Sequence, residues 1–117
     1  MKRFILAAGL ILSLAAPASA QRSGMYDVTG TNPDGTQYVG TLLLEQVGLL
    51  SFRLEWTIGR EAIQGVGMVS GLSFASAFSL GQNPSMGVYE LRPNGQLVGQ
   101  WTTVGAFAAG QETATPR

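Results

Sequence analysis

Carboxylates and aromatic rings are the groups with which this chain could do chemistry, because the commonest catalytic residues are missing. The 117 residues include no histidine and no cysteine, and the single lysine is Lys2. A Ser-His-Asp triad, a thiolate nucleophile and a zinc site of the usual kind therefore cannot be built. We expect no catalytic residues, no metal and no cofactor, and we predict that the protein is not an enzyme.

Glu55 and Glu90 are the acidic residues placed most firmly in predicted strands. Two carboxylates at a suitable separation can carry out acid–base chemistry, as they do in glycosidases. The alternation of side chains, however, puts Glu55 on the same face as Arg53 and Thr57, which indicates a solvent-exposed surface. A hydrolase that acts through these two acids is therefore only the third of three functional hypotheses.

Four aromatic residues are the candidate ligand-binding residues: Tyr38, Trp56, Tyr89 and Trp101. Inside a small barrel, inward rings either line the mouth of a pocket and stack on a flat ligand, or fill the core. The sequence leaves both alternatives open. A weaker candidate is the turn with Asn32, Asp34 and Thr36, whose oxygens could contact calcium. Calcium needs six to eight oxygen ligands, so we expect an Asx-type turn there instead.

The elements that position these residues are β-strands. In the segment from Leu50 to Ile58, apolar side chains alternate with polar ones, which predicts one buried and one exposed strand face. Segments rich in Pro, Asn, Asp and Gly separate this strand from similar ones. The predicted strands span residues 25–30, 37–46, 50–58, 61–69, 71–80, 86–92 and 97–104, with an eighth near 106–113.

These strands predict an all-β fold, an antiparallel meander of seven or eight strands that forms a small closed or partly closed barrel. Closure removes exposed strand edges, and glycines within strands mark bends or close backbone approach. The predicted glycines of this kind are Gly40, Gly65, Gly67, Gly87 and Gly99. A two-sheet sandwich is the alternative. We predict one β domain over residues 21–111, and the polar composition of residues 112–117 predicts a flexible tail.

Residues 1–20 have the pattern of a secretory signal peptide. Lys2 and Arg3 precede an apolar stretch, and Pro17 to Ala20 form a small-residue end before Gln21. We therefore expect a periplasmic or extracellular protein that does not insert into a membrane after cleavage. The remaining chain has five arginines and seven acidic residues, a net charge of −2. No basic cluster is present, so we expect no nucleic-acid partner.

The mature chain resembles a loose family of small exported proteobacterial proteins, most of them uncharacterised and some labelled fibronectin-binding protein. The resemblance begins with Gly24-x-Tyr26-x-Val28-x-Gly30-x-Asn32-Pro33-Asp34-Gly35-x-x-Tyr38-x-Gly40. It continues with Leu54-x-Trp56-x-Ile58-Gly59, Gly65-x-Gly67 and Val88-Tyr89, and ends with Gly95-x-Leu97-x-Gly99-x-Trp101-Thr102 and the late Gly110-Gln111-Glu112. The matching positions are mainly glycines, aromatics and turn residues, so the resemblance implies a shared fold more than a shared site. It also implies a Gram-negative bacterium, and the label of some members keeps extracellular protein binding among the possible functions.

Two functional hypotheses lead. The first is an exported, non-enzymatic binding module for a protein or cell-surface partner, on an outward apolar stripe of Val66 and Met68 with Val39, Leu43 or Val98. The second is a carrier of a small apolar or aromatic ligand in the lumen of the barrel. The sequence carries no signal for an oligomeric state.

Overall fold

Eight antiparallel strands form the fold. The computed structural model describes residues 23–117, and its strands are β1 (Gly24–Thr31), β2 (Gln37–Gln46), β3 (Ser51–Ile58), β4 (Glu61–Ser70), β5 (Ser73–Leu80), β6 (Asn83–Leu91), β7 (Leu97–Thr103) and β8 (Gly110–Pro116). Each strand pairs with its neighbours in sequence, and β8 pairs with β1. The sheet is thus a closed up-and-down barrel.

The structure confirms the predicted all-β meander and the closed barrel, and the alternative of a two-sheet sandwich is wrong. The seven predicted strands all form, with ends displaced by at most three residues. Within residues 23–117 no helix is long and apolar enough to cross a membrane. The predicted signal peptide, residues 1–20, lies outside the described residues.

The prediction of a flexible C-terminal tail is wrong. Residues 112–117 are predicted to be a flexible tail, yet β8 runs through Pro116 and closes the barrel. Thr113 pairs with Thr29 of β1 and Val98 of β7, and the Arg117 amide donates to the Met25 carbonyl at 3.0 Å. Polar composition misleads here because the outward half of any barrel strand faces water.

Alternation along each strand separates a core from a solvent-facing wall. On β3 the side chains of Phe52, Leu54 and Trp56 are buried inside the barrel, while Ser51 and Arg53 are exposed. The same period of two recurs on the other strands. The buried side chains form one cluster that fills part of the lumen, and its largest fully buried members are Tyr26, Phe52, Phe74, Leu42, Leu44, Leu97 and Val28.

The glycines predicted inside strands all lie where another group approaches the backbone closely. At Gly67 the ring of Phe74 occupies the place of a side chain, with Cζ 2.5 Å from where a Cβ would be. At Gly99 an added Cβ would clash with the Val88 carbonyl oxygen and would lie 2.6 Å from Cα of Tyr89. Backbone atoms cannot move aside without disturbing strand pairing, so a side chain at position 99 would strain the contact between β6 and β7.

We predict that Gly99→Ala lowers the free energy of unfolding by about 1–3 kcal/mol, the usual cost of overpacking. Urea unfolding followed by circular dichroism measures this loss. Gly71→Asn is the control, because Gly71 has a positive φ of 58° in a turn with no atom close to an added Cβ. Asn tolerates that conformation, so we expect a loss of about 1 kcal/mol or less. Equal losses for the two variants would contradict the close-approach argument.

Candidate ligand-binding site

The two halves of the barrel lumen differ. Near the connections β2–β3, β4–β5 and β6–β7 the lumen is filled by buried side chains such as Leu44, Phe52 and Leu91. At the opposite end, near the connections β1–β2, β3–β4 and β5–β6, a cavity of about 810 Å³ opens. This volume falls in the range of small-molecule sites, about 300–1,000 Å³.

Aromatic and branched aliphatic side chains form one part of the cavity wall, beside polar residues: Tyr38, Trp56, Ile58, Ile63, Phe78 and Trp101. The rings of Trp56 and Phe78 have centroids 5.0 Å apart, and Phe78 lies 6.1 Å from Trp101. Trp101 in turn meets Tyr38 edge-on at 6.4 Å. The four rings therefore form a continuous arc around the cavity. Both tryptophans of the chain belong to it.

A buried carboxylate lies where this arc meets the packed half. Glu112 is only 5% exposed, and it accepts three hydrogen bonds. Tyr38 donates from its hydroxyl to Oε1 at 2.7 Å, while Trp56 Nε1 and the Tyr89 hydroxyl donate to Oε2 at 3.0 and 2.9 Å. Trp101 Nε1 donates to the Tyr38 hydroxyl at 2.9 Å, which extends the network to a fourth ring. A buried carboxylate needs such donors, because burial without them would be costly.

Small residues around Glu112 make room for these rings. On the neighbouring strands Glu112 pairs with Gly30 of β1 and Gly99 of β7. The Tyr38 ring lies directly over Gly30, and the Trp101 ring lies over Gly110, with Cε2 2.6 Å from where a Cβ would be. The absence of side chains at Gly30 and Gly110 thus lets Tyr38 and Trp101 lie close to the barrel wall.

The two tyrosines that contact Glu112 are held in their neutral form. Burial raises the pKa of Tyr38 well above 10, and the negative charge of Glu112 raises it further. The same two causes, in the same order, raise the pKa of Tyr89. A phenolate next to a carboxylate in a low-dielectric lumen would be unfavourable. Both hydroxyls therefore stay protonated and act as donors to Glu112.

The structure places the four predicted aromatic residues in one region. Tyr38, Trp56 and Trp101 line the cavity, whereas Tyr89 is buried and contacts Glu112. Glu112 is the residue that sequence reasoning missed, because it falls in the segment predicted to be a tail. Its inward neighbours on β8 are Gly110 and Ala114, so no alternation of large apolar residues with polar ones marks this segment as a strand.

Glu55 and Glu90 do not form a site. They lie on the outer wall, on β3 and β6, with β4 and β5 between them. Glu90 instead pairs with Arg92 at 2.8 Å on the surface. In the β1–β2 turn, the Thr36 amide and hydroxyl both donate to Asp34 Oδ1, at 3.0 and 2.6 Å. This is the predicted Asx-type turn.

An apolar patch covers the outer wall of β4, β5 and β6. Strand register places two rows side by side, Met68–Ala75–Val88 and Val66–Ala77–Met86. The outward orientation predicted for Val66 and Met68 is confirmed, with exposed fractions of 59% and 55%. The patch does not extend to Val39 and Leu43 as predicted, because the charged residues of β3 separate β2 from β4.

No family model and no curated protein matches this chain. Several solved β-barrels are similar to it in structure. A redesigned β-barrel superposes with a TM-score of 0.68 at 22% identity, covering 86% of this chain and 95% of its own. The redesigned barrel mFAP1, bound to DFHBI, gives 0.63 at 20% identity and covers 84% and 94%. A mutant of the fluorescent protein UnaG gives 0.55 at 11% identity and covers 83% and 96%. These likenesses establish the fold, and the resemblance to the exported proteobacterial family stays a prediction.

We predict that Glu112→Ala lowers the free energy of unfolding by about 3 kcal/mol. The substitution leaves the Trp56 and Tyr89 donors buried without their acceptor, at a cost of about 1–3 kcal/mol for each donor. Urea unfolding of the purified variant measures the loss. Glu55→Ala removes the same charge from the outer wall and is expected to change stability by about 0.5 kcal/mol or less. A neutral result for Glu112→Ala would mean that the network contributes nothing to stability.

We also predict that the folded protein loses stability as the pH rises above about 10. In the unfolded chain Tyr38 and Tyr89 ionise near pH 10, whereas their raised pKa values keep them protonated in the folded state. The unfolded state then binds fewer protons, so stability falls by about 1.4 kcal/mol per pH unit for each tyrosine. Unfolding curves across this range test the slope, and Tyr89→Phe should reduce it. An unchanged slope in that variant would contradict the assignment.

Proposed function

We propose that this chain is an exported, non-enzymatic carrier of one small, largely aromatic molecule, which it holds in the open half of its barrel. The observation that carries the proposal is the cavity of about 810 Å³ lined by Tyr38, Trp56, Phe78 and Trp101. The signal-peptide pattern of residues 1–20 supports export. The missing histidine and cysteine side chains support a binding role over a catalytic one.

The shape of the lumen favours a ligand over a simple core. In a barrel that serves only as a scaffold, side chains fill the interior along its whole length. Here the open half instead keeps a cavity, and Trp56 and Trp101 lie in its wall with only 4% and 8% of their surfaces exposed. Hydrogen bonds to Glu112 and Tyr38 hold the two indoles in place. A rigid, pre-formed aromatic wall lowers the entropy cost of binding a flat molecule.

The solved neighbours support the same proposal. The redesigned barrel mFAP1, which shares this fold, is bound to DFHBI. A small compound is thus held by a barrel of this size.

A protein or cell-surface partner stays a second candidate, and the apolar patch of β4–β6 favours it. Six neighbouring outward positions in this patch carry Val, Met or Ala. Contiguous apolar surface of this kind is typical of contact sites. The two functions use opposite sides of the same wall, so a carrier could also dock on a partner.

The proposal predicts saturable binding of a neutral aromatic probe, N-phenylnaphthylamine, whose fluorescence rises when it leaves water. Ile63→Trp should weaken binding at least about tenfold, because the new ring occupies the cavity that Ile63 lines. Val66→Trp is the matched control, since it adds the same ring to the outer face of the same strand. Equal binding to the two variants would contradict a site in the lumen, and loss in Val66→Trp alone would point to the outer patch.

A further inference from the structure

The charges in the cavity wall have one sign. Glu112 lies at its base and Glu61 at its rim. Among the residues that the structure describes, the wall contains no arginine or lysine; Arg60 is exposed in the neighbouring turn. The two ion pairs identified, Arg92–Glu90 and Arg117–Asp27, are both on the surface. The charge of Glu112 is thus surrounded by hydrogen-bond donors that are themselves neutral.

Neutral donors solvate a carboxylate without cancelling its charge. A carboxylate offers about four acceptor positions, and the bonds from Tyr38, Trp56 and Tyr89 use three of them. Among the contacts between described residues, Oε1 thus accepts one hydrogen bond, from Tyr38, and Oε2 accepts two, and the Glu112 side chain lines the cavity.

The aromatic rings of the cavity wall also favour a positively charged ligand over a negatively charged one. Faces of indole, phenol and phenyl rings attract cations within about 6 Å, and the attraction strengthens when water is excluded. Trp56, Phe78, Trp101 and Tyr38 place four rings of this kind in the cavity wall. An anionic ligand would instead meet a desolvated carboxylate with no cationic side chain in the wall to balance it, which is costly.

We infer that the ligand is an organic cation, an ammonium or amidinium group attached to an aromatic or aliphatic body. The charged group donates to Oε1 of Glu112, and the body lies among Trp56, Phe78 and Trp101. This inference rests on the proposed function, that the lumen binds a small molecule, and names the chemical class of that molecule.

The test compares three probes of nearly equal size: phenylbutylamine, phenylbutanol and phenylbutyrate, which are cationic, neutral and anionic at neutral pH. Binding to the full chain is followed by the fluorescence of Trp56 and Trp101, since phenyl groups do not absorb at tryptophan excitation wavelengths. We expect the amine to bind at least about tenfold more tightly than the alcohol, and the carboxylate more weakly than the alcohol. High salt should reduce the advantage of the amine little, because the pair is buried.

The results of these binding measurements distinguish a failure of the cation inference from a failure of the proposed lumenal binding. Equal or tighter binding of the alcohol or the carboxylate overturns the cation inference and leaves lumenal binding intact. Binding of N-phenylnaphthylamine without binding of the amine likewise overturns the cation inference and leaves lumenal binding intact. Failure of all four probes overturns the proposed function, and the cation inference with it.

A matched pair of variants tests whether Glu112 causes the preference for the amine over the alcohol. Glu112→Gln removes the charge with little change of size, and we expect it to reduce the preference for the amine over the alcohol at least about tenfold, whatever the change in the affinity for the alcohol. Glu55→Gln removes the same charge from the outer wall and should preserve the preference. A preference that survives in folded Glu112→Gln overturns the role of Glu112. The three-probe comparison on the unmodified chain decides the ligand class even if that variant does not fold.

Discussion

The organisation of the lumen depends on one buried carboxylate. Glu112 has been removed from water, so hydrogen-bond donors must converge on it, and the chain supplies them from β2, β3 and β6. These donors are the polar ends of large rings, and their fixed positions also fix the rings. The network therefore links barrel closure to the shape of the cavity, since the strand that carries Glu112 is also the one that closes the sheet.

Inside the barrel, large aromatic rings occupy the space that glycines leave next to the backbone. Where Gly30, Gly67 and Gly110 leave the wall bare, the rings of Tyr38, Phe74 and Trp101 lie against the backbone. This arrangement lets a barrel of eight short strands hold several large rings and still keep one end open. The packed end buries large apolar side chains, which stabilise the fold, while the cavity lies at the open end.

Much of the fold follows from local sequence pattern. Alternation on the segment from Leu50 to Ile58 predicts both β3 and its buried face, and the Asn32–Gly35 and Arg92–Gly95 turns mark strand ends correctly. Alternation fails at β8 because its inward residues are glycine, glutamate and alanine, which carry no apolar signal. The aromatic candidates came from residue type and strand position, and three of the four line the cavity.

The sequence by itself determined that this chain forms strands, that it lacks the side chains for common catalytic chemistry, and that Tyr38, Trp56, Tyr89 and Trp101 lie in strands. These are properties of composition and of neighbours two residues apart. Only the tertiary structure decided that Glu112 is inside and that Tyr38, which is 74 positions away, donates to it. Barrel closure and strand register set the height of each residue in the lumen, and both arise from pairing between distant segments.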